Sequence, residues 1–253
     1  MIQIENPPGF VIREEAHKAT YENGFRIEVG IRDGWLGFLS TTVSGKIWFA
    51  RENNQGCWLI SITHSGVAAE LGLVPASVQS PGIAAYAFPT LEPLYRALSR
   101  VYKLAASLPD APLDQFRKHT ATLPNSIEAE RLVVQRIGQN IFRDALMEYW
   151  NGRSPLTGIT DPALLRASHI VCWAYCESDA QRLDVHNGLL LSSLWDAAFD
   201  AGLISFNDEG YVLRSSSLTQ EAAAALTLDT IKPIILTNLH RQNLAKHRVR
   251  YGY

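Results

Sequence analysis

The string ASHI (Ala167 to Ile170), followed by HNGLLLSSLWDAAFDAGLISF (His186 to Phe206), decides how this chain folds and where its chemistry sits. Ser192 or Ser193 can cap a helix whose apolar residues Leu194, Trp195, Ala198 and Phe199 recur at helical spacing, and Gly202 stands where a left-handed C-terminal residue is expected. Asp196 and Asp200 then share one helix face, one turn apart. Two carboxylates at that spacing offer hard oxygen ligands, suited to Mg²⁺ or Mn²⁺, or else form a solvated acidic stripe. With a histidine in a short apolar run, and an Asn-Gly ahead of the helix, the pattern is compact enough to hold one metal against one base.

Outward from that core, IGQNIFRDAL (Ile137 to Leu146), SPLTG (Ser154 to Gly158), LLRASHI (Leu164 to Ile170), LDVHNGLLL (Leu183 to Leu191) and FDAGLISF (Phe199 to Phe206) follow in order. Together they resemble the HNH (ββα-metal) endonuclease family, in particular its restriction-type branch. That branch reads roughly as GQxxFR on a helix, a C-x-x-T-G turn, L-x-A-S-H-I, D-x-x-N-G-L-L-L and F-D-x-G-L-I-S-F. The resemblance covers residues 131 to about 213 and implies a metal-dependent DNA endonuclease that leaves 5′-phosphate and 3′-hydroxyl ends. It implies His169 as the general base, a role a neutral imidazole fills near pH 7, and Asn187 as the residue that holds the loop. Asp196 falls where many members place a metal-binding histidine, with Asp200 one turn on. Relatives often have an acid or histidine where this chain has Ser168, so Asp184 is the other candidate ligand. Ser154 replaces the cysteine before the T-G turn, and Cys172 replaces a proline after the S-H-I string.

The 253 residues, 47% of them hydrophobic, can bury one large core or two modest ones. We expect an α+β chain: a β-rich amino-terminal domain with a trailing helix (1–110) that selects DNA, a linker (111–125), and a largely helical nuclease domain (126–253). Short aromatic and β-branched runs at Phe25 to Val29, Trp35 to Leu39, Lys46 to Phe49 and Cys57 to Thr63 alternate with turn signals such as Asn23-Gly24 and Asp33-Gly34. Trp35, Phe38, Trp48, Phe49 and Trp58 serve either as core or as a stacking surface for a base. Thr90 to Ser107 has helical spacing, whereas the prolines of 108–125 mark the linker. Asn125 followed by Glu128 suggests a capped helix to about Trp150, with Ile127 on its apolar side. Leu203 to Phe206 and Tyr211 to Leu213 form a hairpin, and Leu218 to Leu226 and Thr230 to Lys246 read as helices.

A net charge of −2 gives no general electrostatic footprint for nucleic acid. Local cations must be considered instead: the tail residues Arg241, Lys246, Arg248 and Arg250 grip phosphates or form a solvated helix end, and Arg143 clamps a phosphate or pairs structurally with a carboxylate such as Asp184; the DNA candidates are Arg143, Arg241, Lys246 and Arg248. Cys57, Cys172 and Cys176 lack paired zinc spacing, which leaves structural zinc the lesser reading and a reduced cytoplasmic setting the expected one. No run of ~18 apolar residues suggests a membrane span. No glycine-rich phosphate loop or G-x-S-x-G elbow supports nucleotide-driven or acyl-transfer chemistry. The partners expected are DNA and, as an open option, a second copy of the chain. The alternative function is a catalytically silent DNA-binding protein that keeps the same fold.

Overall fold

The computed structural model describes residues 2–123 and 128–253, and the α+β chain divides into two compact units, Met1–Ala111 and Pro112–Tyr253. Among the described residues no helix is long and apolar enough to cross a membrane. The helix start expected at Asn125 and Ile127 lies outside them.

The first unit runs α1 (Phe10–Glu22), β1 (Ile27–Arg32), β2 (Trp35–Leu39), β3 (Lys46–Arg51), β4 (Trp58–Ile62), α2 (Ser65–Glu70), β5 (Ala84–Phe88) and α3 (Leu91–Ser107). Its five strands form an antiparallel meander in chain order. At the first hairpin Asp33 and Gly34 both take positive φ, 51° and 84°, the two-residue turn whose twist matches the strands it joins. Period-two alternation sorts the side chains. Leu36, Phe49, Ile60 and Tyr86 stand opposite one another across four strands and are buried. The other face buries Trp35, Ala50, Leu59 and Ala85 against Ile2, Ile4, Trp48 and Val78.

This arrangement corrects the reading of the aromatics as a stacking surface. Trp35 is 1% exposed, and Phe38, Phe49 and Trp58 are core side chains too, while the half-buried Trp48 lies over Gly37. The helix α1 carried little sequence signal because its buried stripe is Ile12, Ala16, Ala19 and Thr20, mostly small residues in a charged segment.

The second unit contains α4 (Asp110–Thr120), α5 (Glu128–Tyr149), β6 (Leu165–His169), α6 (Asp179–Leu183), β7 (Gly188–Ser192), α7 (Ser193–Asp200), β8 (Ile204–Phe206), β9 (Val212–Arg214), α8 (Gln220–Ala225) and α9 (Asn238–Tyr251). The expected linker is corrected by α4: Pro112 is its third residue, in the first turn, where the missing N–H would have had no helical partner. The helix expected from Thr230 begins only at Asn238, because Pro233 cannot donate and Thr237 with His240 forms a capping box.

β6 and β7 pair antiparallel, with His169 opposite Gly188 and Leu165 opposite Ser192. α7 follows β7 without a break and ends at Gly202, which takes φ +66° as its left-handed terminator. α5 lays Phe142 and Leu146 directly on this hairpin. A Cβ at Gly188 would sit 2.5 Å from Phe142, so the glycine of the Asn-Gly pair is required by close approach. Beneath the hairpin Leu189, Leu191, Trp195, Phe199, Ile204, Phe206 and Leu244 form the core.

His247 in this unit is buried beside a stacked Phe199, 4.0 Å between ring centroids. Its Nε2–H donates to the Phe199 carbonyl, and its Nδ1 bonds to the Ser205 hydroxyl. Burial pushes its pKa down to about 4, with Arg250 and Arg248 adding to the shift and the carbonyl opposing it. Above about pH 6.5 this histidine is neutral folded or unfolded and adds no pH dependence. Below it the unfolded chain takes up a proton that the folded chain refuses, so stability falls from about pH 6.5 to about pH 4. Denaturation midpoints measured across that window should drop with acid, and more shallowly for His247→Gln; equal slopes would show that another group is responsible.

Candidate active site

The loop between β6 and β7 is closed by one side chain. Asn187 is fully buried; its Oδ1 accepts from the Val171 amide at 2.8 Å, and its Nδ2 donates to the carbonyls of Val171 (3.1 Å) and Gln181 (3.2 Å) and to Cys176 Sγ (3.3 Å). Only a primary amide supplies an acceptor and two donors together. The loop is thereby fixed from Val171 to Gln181, and with it the Arg182 carbonyl that follows.

That carbonyl orients His169. The imidazole Nε2 lies 2.8 Å from Arg182 O, and since a carbonyl only accepts, Nε2 carries the proton and Nδ1 keeps a lone pair. Phe142 stacks on the ring at 3.8 Å, and Trp173 meets it edge-on at 5.6 Å. Burial pushes the His169 pKa down to about 4, against the opposing pull of the carbonyl bond. The ring is therefore neutral near pH 7 and able to accept a proton.

Ser168, next to it at the end of β6, is buried and donates its hydroxyl to Asp196 Oδ1 on α7. Asp200 lies one turn further on the same helix. Its carboxyl is pushed up by burial and then by the charge of Asp196, so the two carboxylates are near enough to repel. A hydroxyl bonded to one carboxylate, with a second carboxylate one turn on, thus lies where β6 meets α7, in the same strand-strand-helix unit that carries the oriented imidazole.

Residues 154–207 match the family model described as HNH endonuclease. The chain carries an HNH endonuclease domain. No curated protein matches the chain. The HNH match runs from the Ser154–Gly158 turn through β6, β7 and α7 to β8, and contains His169, Asn187, Asp196 and Asp200.

Within the HNH domain, Asp184 does not join the other two acids. Its carboxylate accepts from the His186 amide (2.9 Å) and from His186 Nδ1 (2.7 Å), capping the turn that delivers Asn187. Among the described residues no three His, Cys, Asp or Glu side chains converge to hold a metal ion. Cys172 and Cys176 are free thiols, and Cys176 Sγ is directed at the Val171 and Cys172 carbonyls.

The expected DNA-binding arginines are occupied by the fold. Arg143 donates to the carbonyls of Leu165 and Pro162, both at 2.8 Å, and so anchors the start of β6 to α5. Arg241 holds Asp208 O and Asn238 Oδ1. Arg248 holds Phe206 O and the Asp208 carboxylate. Lys246 alone of the four is exposed and makes no such bond. Arg182 is the residue that sequence reading missed: besides lending its carbonyl to His169, its guanidinium ties Asp179, Cys176 O and Trp173 O together. Its only local signal was the Asp179 three residues before it.

Proposed function

We propose that the HNH domain hydrolyses DNA phosphodiester bonds, with His169 Nδ1 as general base. The observation that carries this is the His169–Arg182 hydrogen bond, which leaves the neutral ring's lone pair for a proton. In the reaction Nδ1 takes a proton from water as its oxygen attacks phosphorus, the P–O3′ bond breaks with its electron pair going to O3′, and that oxygen takes a proton from a solvent water to end as a hydroxyl, while the proton on Nδ1 returns to solvent. Asn187 and Arg182 act earlier, holding the ring so that no reorganisation is needed at the moment of attack.

The oxygen set on β6 and α7 fits a hard divalent cation such as Mg²⁺ or Mn²⁺, held by Asp196 and Asp200 with the Ser168 hydroxyl beside them. The Asp200 carboxyl is raised first by burial and then by the charge of Asp196, and a cation there would favour its ionised form. When bound, it would supply charge stabilisation at the phosphate and the leaving oxygen. The resemblance to the restriction-type branch supports a role in cutting foreign DNA. The unit 1–111 remains the candidate for choosing that DNA, through its surface and not through the buried Trp35.

Plasmid nicking in Mg²⁺, in Mn²⁺ and in EDTA tests the reading. Cutting in either metal and none in EDTA is expected; DNA binding with no cutting in any condition would replace it with a binding-only function. Asp196→Asn should raise the Mg²⁺ concentration for half-maximal rate by roughly tenfold, the scale of losing one ligand charge. An unchanged titration would place the cation elsewhere.

A further inference from the structure

With Arg143, Arg241 and Arg248 occupied by the fold, the substrate contact calls for other residues, and a group on the loop whose Trp173 meets His169 has the chemistry for it. The loop held by Asn187 turns over at Trp173–Tyr175, a single 3-10 turn closed by the Tyr175 amide on Cys172 O. Trp173 faces inward, onto His169 and the Arg182 guanidinium. Tyr175, two residues on, is 64% exposed.

The end of α9 is docked beside this turn. Asn243 donates to His186 O at 3.0 Å, Tyr251 donates to Asp200 O at 2.7 Å, and Tyr253 donates to Gly202 O at 2.9 Å. These bonds hold the helix to the HNH loop at one point and to the C-terminal end of α7 and the glycine after it at two others. Arg250 lies between them, its guanidinium carbon 4.1 Å from the Tyr175 ring centroid and 5.3 Å from that of Tyr251. One turn earlier on the same helix is Lys246, which is exposed. Among the described residues neither Lys246 nor Arg250 has an ion pair or hydrogen bond. A cation in a last helical turn offsets the helix dipole, but that does not explain an arginine laid on an exposed tyrosine.

We propose that Tyr175, Arg250 and Lys246 bind the substrate strand, the tyrosine ring stacking on an unpaired base and the two cations meeting phosphates. An aromatic ring with an arginine on it is a sequence-tolerant platform for a base face, and free lysine and arginine side chains on a helix are the usual backbone contacts. The inference rests on the HNH domain acting on DNA, and deepens it by naming the substrate class: single-stranded or locally unpaired DNA. A base stacked within a duplex has no free face to offer Tyr175.

Binding in EDTA, read by fluorescence anisotropy with a labelled single-stranded oligonucleotide and with the same sequence as a duplex, separates this inference from the hydrolysis. Wild type should prefer the single strand. Tyr175→Ala should lose about tenfold on the single strand and less than about twofold on the duplex, while Tyr175→Phe retains the wild-type preference. Arg250→Gln and Lys246→Gln should weaken both DNAs and each reduce the slope of log affinity against log salt by about 0.7 to 0.9. An unaltered denaturation midpoint confirms that the exposed substitutions leave the fold intact. Equal loss on both DNAs, or none, for Tyr175→Ala would overturn the stacking role, and an unchanged salt slope would overturn the phosphate contacts. A wild-type protein that shows this pattern but cuts no plasmid would retain the binding surface and lose the nuclease reading; one that cuts but lacks the pattern would do the reverse.

Discussion

His169→Ala should slow DNA cleavage ~10²-fold or more under saturating metal, with DNA affinity nearly unchanged. That factor is the lower end of what a positioned general base contributes. The affinity should hold because the polar contact that fixes the ring is internal, from Nε2 to the Arg182 carbonyl. Truncation also leaves a gap against Phe142, so the rate must be compared at a temperature where both proteins are fully folded. Imidazole in the buffer can enter such a gap and should restore part of the rate, which a merely structural loss would not allow. Cleavage at the wild-type rate would remove His169 from the mechanism and leave the hairpin a scaffold.

Asn187→Ala is expected to be the most damaging change to the fold of the HNH domain, at about 4 kcal/mol. The side chain serves the Val171 amide, the Val171 and Gln181 carbonyls and the Cys176 sulfur from a fully buried position. Removing it strands one donor and two carbonyls at roughly 1 to 3 kcal/mol each, with relaxation recovering part. Chemical denaturation gives the stability, and cleavage by the fraction still folded gives the second effect: a loose loop moves Arg182 O and so misaims His169. Asn187→Asp should not rescue, since an ionised carboxylate has no hydrogen to give the two carbonyls. A loss of only a few tenths of a kcal/mol would show that water or neighbouring groups take over those bonds.

The reach of sequence reading follows the range of the interactions. Asp196 and Asp200 one turn apart, the Asp33-Gly34 turn and the left-handed Gly202 all depend on residues within one turn of one another, and the pattern shows them directly. Arginine roles are a different matter. Arg143 reaches carbonyls 19 and 22 residues away, and Arg248 reaches residues 40 and 42 away. No local pattern encodes which backbone oxygens a long side chain will meet. A helix with alanines on its buried face and another with proline in its first turn were hidden for a related reason, because size and position replace hydrophobicity as the signal.

What the sequence determined by itself was the identity and order of the HNH residues: a histidine ending one strand, an asparagine opening the next, and acids on the helix that follows. Pairing of β6 with β7, and the direct run of β7 into α7, bring those three into one unit. Only the tertiary structure decided which groups are spent on holding that unit and which are left to act. Asp184 is drawn to His186, three arginines to distant carbonyls, and Trp35 into the sheet core, because buried polar groups and large apolar surfaces must find partners wherever the fold brings them. Arg250 is laid on Tyr175 because the end of α9, tied to the end of α7 through Tyr251 and Tyr253, carries it there, and among the described residues neither Arg250 nor Lys246 pairs with an acid.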